Sequence, residues 1–257
     1  MHREYIRIAE KGELAVLMIH GIVGSPAHFK EFIPLVPQTV SVYNLLLDGH
    51  GSSVKDFSKT SMAKWKQQIN STLDEILSRH KAVFILAHSM GTLFAIDAAL
   101  EHRERVKYLF LLSVPLAPRV TFKAILAAVR LALGIAGEDD ATAKAMKADT
   151  SVKLERNLFK YLGWVPRYLE LFGLIAETKK KLGNITAPGS CYQTAKDELV
   201  GRKTGKMLRE RTSLRCFTLE NSGHFAYSTE DMQKLKAAFK AALDNTIEGS
   251  NYEKTGV

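Results

Sequence analysis

Short runs of apolar, β-branched and aromatic residues alternate along the chain with longer stretches in which apolar residues recur every third or fourth position. The short runs cover 14–20, 40–44, 82–87, 106–113, 189–194 and 214–219, and their composition and turn-forming flanks mark them as strands. The longer stretches predict helices over 26–35, 61–80, 90–101, 167–182, 203–211 and 231–244. This alternation implies βαβ units and a parallel sheet. Runs that are apolar throughout, such as Val83-Phe84-Ile85-Leu86-Ala87, imply that helices cover both faces of that sheet. Residues 5–9 add a candidate edge strand.

One stretch breaks the alternation. After Ser113-Val114-Pro115, about fifty residues pass with no clear strand pattern. They open with an apolar helix over Phe122–Leu133 and continue through a polar segment, 138–157. The expectation is an α/β fold with a mostly parallel central sheet flanked by helices, and a small helical cap inserted after the strand ending near Ser113. Residues 1–245 then form one domain with the cap at about 116–163, and 246–257 form a flexible polar tail.

A length of 257 residues suits one such domain. The start, Met1-His2-Arg3-Glu4-Tyr5, mixes charges and has no signal-peptide apolar region. Lys123 and Arg130 interrupt the longest apolar stretch, 120–137, so no spanning helix is expected. The two cysteines, Cys191 and Cys216, sit in apolar segments and are expected to be buried, reduced thiols in a cytoplasmic protein. The net charge of +9 gathers at Lys179-Lys180-Lys181 and over 202–215. No nucleic-acid motif or interleaved aromatic set accompanies it, so solvated helix faces are expected and no nucleic-acid partner.

The candidate chemistry begins at Ala87-His88-Ser89-Met90-Gly91. This pentad follows one strand directly and opens a helix. A nucleophile on a sharp strand-to-helix turn needs small residues two before and two after it, which Ala87 and Gly91 supply. The helix N-terminus favours developing negative charge. Alone the pentad is weak, because serine is also a preferred helix cap.

Two further features strengthen it. The loop His20-Gly21-Ile22-Val23-Gly24-Ser25-Pro26 follows the strand 14–20. A tetrahedral oxyanion needs two preorganised backbone donors, expected here from Met90, after the nucleophile, and Ile22, in this loop. A serine hydroxyl also needs a base within reach and an acid to orient that base. His224 follows the strand 214–219 and Asp197 follows 189–194, both at strand C-terminal ends, where open α/β sheets gather their functional groups. Glu198 is the rival acid; Asp197 is preferred because it comes first after the turn. His20 is expected to tie its loop, and His50 to order a loop beside the site. His88 is expected to point away from the nucleophile, and His2, His28, His80 and His102 to be ordinary surface or loop residues. No histidine set has metal-ligand spacing, so no metal and no cofactor are expected.

Taken in order, the His20–Pro26 loop, Asp48-Gly49-His50-Gly51, His88-Ser89-Met90-Gly91, Asp197-Glu198-Leu199-Val200 and Ser222-Gly223-His224 resemble the successive signatures of α/β hydrolases. Their spacing is similar to that of small bacterial carboxylesterases and monoacylglycerol lipases, over nearly the whole chain. The resemblance implies a triad of Ser89, Asp197 and His224, an oxyanion hole from the Ile22 and Met90 N–H groups, and a small-molecule ester substrate. Ala87 stands where the family usually has the first glycine of the elbow, and the branched Ile22 is expected to narrow the acyl pocket.

The same triad would serve a thioesterase or a C–C bond hydrolase, and a non-catalytic binding protein could use the scaffold. Serine at position 89 argues against the dehalogenases and epoxide hydrolases of the fold, whose nucleophile is a carboxylate. In the cap, Lys123 and Arg130 share one helix face and leave the others apolar. Phe159, Tyr161, Leu162, Trp164, Tyr168, Leu169 and Phe172 follow. Most of these are expected to pack onto the core; the alternatives are an acyl tunnel or transient lipid contact.

Overall fold

A computed structural model describes residues 2–10, 12–137 and 139–255. Its centre is a seven-stranded sheet in the order β1-β3-β2-β4-β5-β6-β7. The strands are β1 Tyr5–Arg7, β2 Leu14–Ile19, β3 Ser41–Asn44, β4 Ala82–His88, β5 Val106–Leu112, β6 Gly189–Thr194 and β7 Arg215–Leu219. Only β1 runs antiparallel, pairing Tyr5 with Asn44 at the edge. The chain is therefore an α/β fold with a mostly parallel sheet, as the residue pattern predicts.

The period-two alternation of side chains divides the core into two layers. In β2, Ala15, Leu17 and Ile19 join one layer while Leu14, Val16 and Met18 join the other. The first layer packs under α2 (Met62–Arg79), α3 (Met90–Glu101) and α6 (Val165–Lys181), through Trp65, Leu93 and Ile175 among others. The second packs under the segment 26–35 and α8 (Thr229–Thr255), through Phe29, Phe32 and Phe239. Asp97 on α3 is nearly buried and joins the helices of the first layer electrostatically. It accepts from Lys66 of α2 at 3.2 Å and from Lys181 of α6 at 2.8 Å.

Several elements differ from the sequence expectation. Segment 26–35 forms two 3-10 turns, Pro26–Phe29 and Ile33–Leu35, because Pro34 has no N–H and its ring crowds the preceding turn. Helix α1, Val54–Ser58, lies outside the periodic stretches and is started by a capping box of Ser53 and Asp56. In the polar segment, α5 spans Ala141–Asp149, with the Asp140 side chain capping Ala143 N–H. Helix α8 continues to Thr255 where the pattern ended it at Asp244; residues 256–257 lie outside the described residues. The cap region comprises α4 (Phe122–Leu133), closed by Gly134 at φ 71°, then α5 and a 3-10 segment, Leu158–Trp164. Helix α7 covers Lys203–Arg211. Cys216 is half-buried rather than buried. Among the described residues, no helix is long and apolar enough to cross a membrane.

The topology fixes where chemistry can gather. From β2 the chain passes to β3 on one side and then to β4 on the other, so a crevice opens at the C-terminal ends of β2 and β4. Because β2, β4, β6 and β7 are parallel to their neighbours, their following loops all emerge at that same end.

Phe239 anchors α8 to the sheet, with its ring centroid 5.2 Å from Phe32, 5.5 Å from Phe84 and 5.6 Å from Phe110. Phe239→Ala is expected to cost about 3–5 kcal/mol, read as a lower midpoint in urea denaturation.

Candidate active site

Ser89 joins β4 to α3 with φ 51° and ψ −123°. A non-glycine residue at such a positive φ is strained by about 1–3 kcal/mol and persists only where its surroundings over-determine it. Here they do. Ser89 N–H donates to Leu112 O at 2.9 Å, and Ser89 O accepts from both the N–H and the hydroxyl of Thr92. At Gly91 a Cβ would lie 2.2 Å from Ile19 O and 2.7 Å from His20 O. Only glycine lets α3 start directly against the end of β2. At Gly21, a Cβ would meet the Ser89 Cβ at 3.0 Å, so the loop after β2 also passes close over the serine.

His224 and Asp197 converge on Ser89. The His224 Nε2 lies 3.0 Å from the Ser89 Oγ. Its Nδ1 lies 3.0 Å from each Asp197 oxygen. Both side chains are only 3% exposed. The carboxylate is a poor hydrogen-bond acceptor for anything else, because its remaining sites are filled. Leu199 N–H and Val200 N–H donate to one oxygen at 2.9 and 2.7 Å, and the Thr194 hydroxyl donates to the other at 2.9 Å.

Burial alone would raise the Asp197 carboxyl pKa, but the His224 ring beside it and these donors outweigh burial and hold it below the ordinary carboxylate value. For His224, burial opposes the charge, yet Asp197 outweighs it and raises the imidazole above its ordinary 6.5. This arrangement places Nδ1–H against the carboxylate and leaves Nε2 to accept the serine proton.

Glu198, the rival acid, does something different. Its Oε2 accepts the backbone N–H of His224 at 2.8 Å, so it holds the loop that carries the ring rather than the ring itself. The loop 197–201 is itself pinned by the start of the cap. Arg119 N–H donates to Leu199 O, Thr121 N–H to Glu198 O, and Gly201 N–H to Ala117 O.

The loop after β2 is a tight turn, with Gly24 N–H donating to Gly21 O at 3.1 Å and Val23 at φ 60°. His20 ties it as expected. Leu47 N–H donates to His20 Nε2 at 3.2 Å, so Nδ1 carries the proton and donates to Gly21 O at 2.8 Å. Met90 is the first residue of α3, where N–H groups have no intrahelical acceptor. Ile22 lies in the turn between Gly21 and Gly24, on the neighbouring loop.

His28 and Asp149 depart from expectation. Nothing around His28 along the chain announces that its side chain is only 4% exposed and bonded to Asp149, at 2.7 Å, across 121 positions. Ser151, two residues on, donates from its N–H to Val23 O and from its hydroxyl to Gly24 O. The end of α5 is thus fastened onto the turn that contains Ile22. His80 is likewise buried, bonded to Gly12 O at 2.7 Å. His88 stays clear of the Ser89 hydroxyl, but it is not idle. Its Nε2 lies 3.1 Å from His224 O, so it donates to the carbonyl of the loop carrying His224.

Among the described residues, His28, His88 and Asp149 form one group whose donor atoms lie within 4.8 Å of one another. The two imidazoles are stacked, with centroids 3.8 Å apart and planes inclined by 21°. A metal sits in the plane of each ring that ligates it, and near-parallel rings in face contact do not offer a common point. The Nδ1 of His28 already faces the Asp149 carboxylate. The group reads as a stacked support for the loop.

The apolar set of the cap divides. Trp164 is buried against Phe57, with centroids 4.7 Å apart, and Tyr161 packs on Trp164. Phe159 at 82% exposure, Leu162 at 66% and Leu169 at 63% do not pack on the core, and Phe172 and Tyr168 are also exposed. The expectation that most of this set packs inward is therefore wrong. The inner side of α4 and α5 has already been filled by small residues and one flexible chain, Ala124, Ala127, Ala143 and Met146, with Leu199 and Phe225 from the two site loops.

Residues 16–238 match the family described as the Alpha/beta hydrolase family. A similar protein is the thermostable monoacylglycerol lipase of Bacillus sp. (strain H-257), 24% identical over 222 residues that cover 85% of each chain. Among solved structures, one reported for LipS and LipT, two metagenome-derived lipolytic enzymes, superposes with a TM-score of 0.71 at 19% identity, covering 94% of this chain and 97% of that one. The monoacylglycerol lipase of Paleococcus ferrophilus gives 0.66 at 18% identity, covering 94% and 99%. At these identities the structural likeness speaks for the fold.

The two carboxylates near His224 are separable by titration. In an NMR titration, His224 is expected to lose its proton at a midpoint above 6.5. Asp197→Asn should move that midpoint down, because it removes the charge that offsets burial, whereas Glu198→Gln should move it far less. The reverse order would make Glu198 the partner of the ring.

Proposed function

The chain belongs to the alpha/beta hydrolase family, and from that premise we propose that it hydrolyses carboxylic esters through an acyl-enzyme on Ser89. The observation that carries this reading is the continuous contact from Ser89 Oγ to His224 Nε2 to Asp197, at 3.0 Å on each side of the imidazole. It begins at a strained serine at a helix N-terminus.

In this reading Ser89 Oγ attacks the ester carbonyl as His224 takes its proton. The tetrahedral oxyanion is held by the N–H groups of Ile22 and Met90. His224 then gives the proton to the departing alcohol. Asp197 keeps the ring oriented and stabilises the imidazolium. Water, deprotonated by His224, cleaves the acyl-enzyme along the same path. No metal or cofactor takes part in any step.

The substrate is a small ester with an acyl chain of medium length. The exposed apolar residues of α4 and the cap support this, among them Phe122, Ile125, Phe159 and Leu162. With Lys123, Arg130 and Lys160 interspersed, the same surface suits transient contact with lipid. Two cysteines, neither needed to staple a fold of this size, suit a reducing compartment, the cytoplasm. The likeness to the Bacillus monoacylglycerol lipase supports the ester class.

The decisive experiment measures turnover of p-nitrophenyl esters of graded chain length. Ser89→Ala should keep the fold by circular dichroism and lose on the order of 10⁴-fold or more in kcat, and it should no longer be labelled by a fluorophosphonate. Unchanged turnover in Ser89→Ala would remove the serine mechanism, and a flat rate from acetate to longer chains would remove the acyl preference.

The pH dependence has a definite sign. His224 must be neutral to accept the serine proton, and its pKa is raised above 6.5. The kcat/KM is therefore expected to fall as pH drops through a midpoint above 6.5. An acid limb well below that value would show that the titrating base is not this histidine.

A further inference from the structure

Strands β6 and β7 run parallel with Cys191 directly opposite Cys216. Neighbouring strands lie about 4.8 Å apart, within the Cα separation of about 4.4–6.8 Å that a disulfide spans. Both side chains face the same core layer; Cys191 lies inside it and Cys216 packs against it. The two are free thiols, and their sulfurs approach to 2.6 Å.

The two sulfurs are unequal. Cys191 is buried, while Cys216 is half-buried on the edge strand β7. Its contact with the Cys191 sulfur, with Arg209 of α7 nearby, outweighs partial burial and lowers the Cys216 thiol's pKa. The same contact, together with burial, pushes Cys191 up. A reachable sulfur that ionises readily, beside a hidden one that keeps its proton, has the features of an attacking and a resolving cysteine.

We propose that Cys191 and Cys216 are a reversible dithiol–disulfide pair that exchanges with small-molecule disulfides of the glutathione type. The Cys216 thiolate attacks one sulfur of oxidised glutathione, whose S–S bond breaks and releases one glutathione thiolate. That thiolate takes a proton from solvent. The Cys191 sulfur then attacks Cys216, forming the protein disulfide, and its proton passes to the second glutathione as it is expelled from Cys216. Two protein thiols are oxidised and one glutathione disulfide is reduced to two thiols. The new bond ties β6, which leads to Asp197, to β7, which leads to His224.

The test is to reduce the purified protein, equilibrate it with oxidised glutathione, and read intact mass and alkylatable thiols. The expected product has lost two hydrogens, is alkylated at neither cysteine, and returns to two thiols with dithiothreitol. Cys191→Ala should instead accumulate a stable mixed disulfide with glutathione on Cys216. Cys216→Ser should stay unmodified, because the remaining sulfur is out of reach. Retention of both thiols, a mixed disulfide that persists in the unsubstituted protein, or glutathione on Cys191 in Cys216→Ser overturns the proposal.

Discussion

At Ser89 the backbone turns from strand to helix within one residue, and the turn exists because α3 starts almost in contact with the end of β2. Gly91 faces Ile19 O so closely that a Cβ would sit 2.2 Å from it. That closeness follows from the parallel register of β2 and β4, which sets Ile19 opposite Ala87. The loop after β2 must then pass over the serine, and Gly21 allows it. One tight crossing therefore fixes the serine, the helix N-terminus behind it and the loop holding Ile22 as a single rigid unit. A larger residue at position 91 or 21 would disturb all three together.

The histidines around this unit illustrate how environment assigns roles to identical side chains. His20, His50 and His88 are buried with no carboxylate bonded to the ring, and desolvation lowers all three, His20 to about 4. They stay neutral and serve as hydrogen-bonding struts. His224 is just as buried, but Asp197 lies against its Nδ1 and reverses the outcome. Desolvation is common to all four; the paired carboxylate makes the difference. Position in the fold supplies that carboxylate, since β6 and β7 are neighbours and their loops leave the sheet side by side.

The sheet, its covering helices and the order of the loops that bring Ser89, Asp197 and His224 together were legible because each rests on short-range pattern. Strand runs such as 82–87 are apolar throughout, and Ser89, Asp197 and His224 each follow a strand directly. The helix expected over 26–35 from its periodicity breaks at Pro34 into two 3-10 turns. The roles of Glu198, His28, Asp149 and Ser151 were not legible, because each is defined by a partner far along the chain. Nothing near Asp149 announces His28, and nothing near Glu198 distinguishes holding a backbone N–H from orienting a ring. The cap misled for a related reason. Periodicity identifies an apolar face but not what meets it, and Phe159, Leu162 and Leu169 meet nothing in the core.

Asp197 and His224 stand on the loops after β6 and β7, the last two strands of the sheet, so half of the candidate site rests on an edge. An edge strand lacks a neighbour on one side and is ordinarily the first to open. Three devices offset this. The start of the cap adds a short ladder of backbone bonds to 198–201, fixing the acid loop from above. Glu198 then links that loop to the His224 backbone, so the two loops move together. Asp231, at the start of α8, accepts from Asn221 N–H and the Ser222 hydroxyl and anchors the base loop from below. Ser89 is held by the centre of the sheet, whereas His224 depends on these cross-ties. Local loosening of the fold would therefore separate His224 from Ser89 long before it disturbed the serine turn itself.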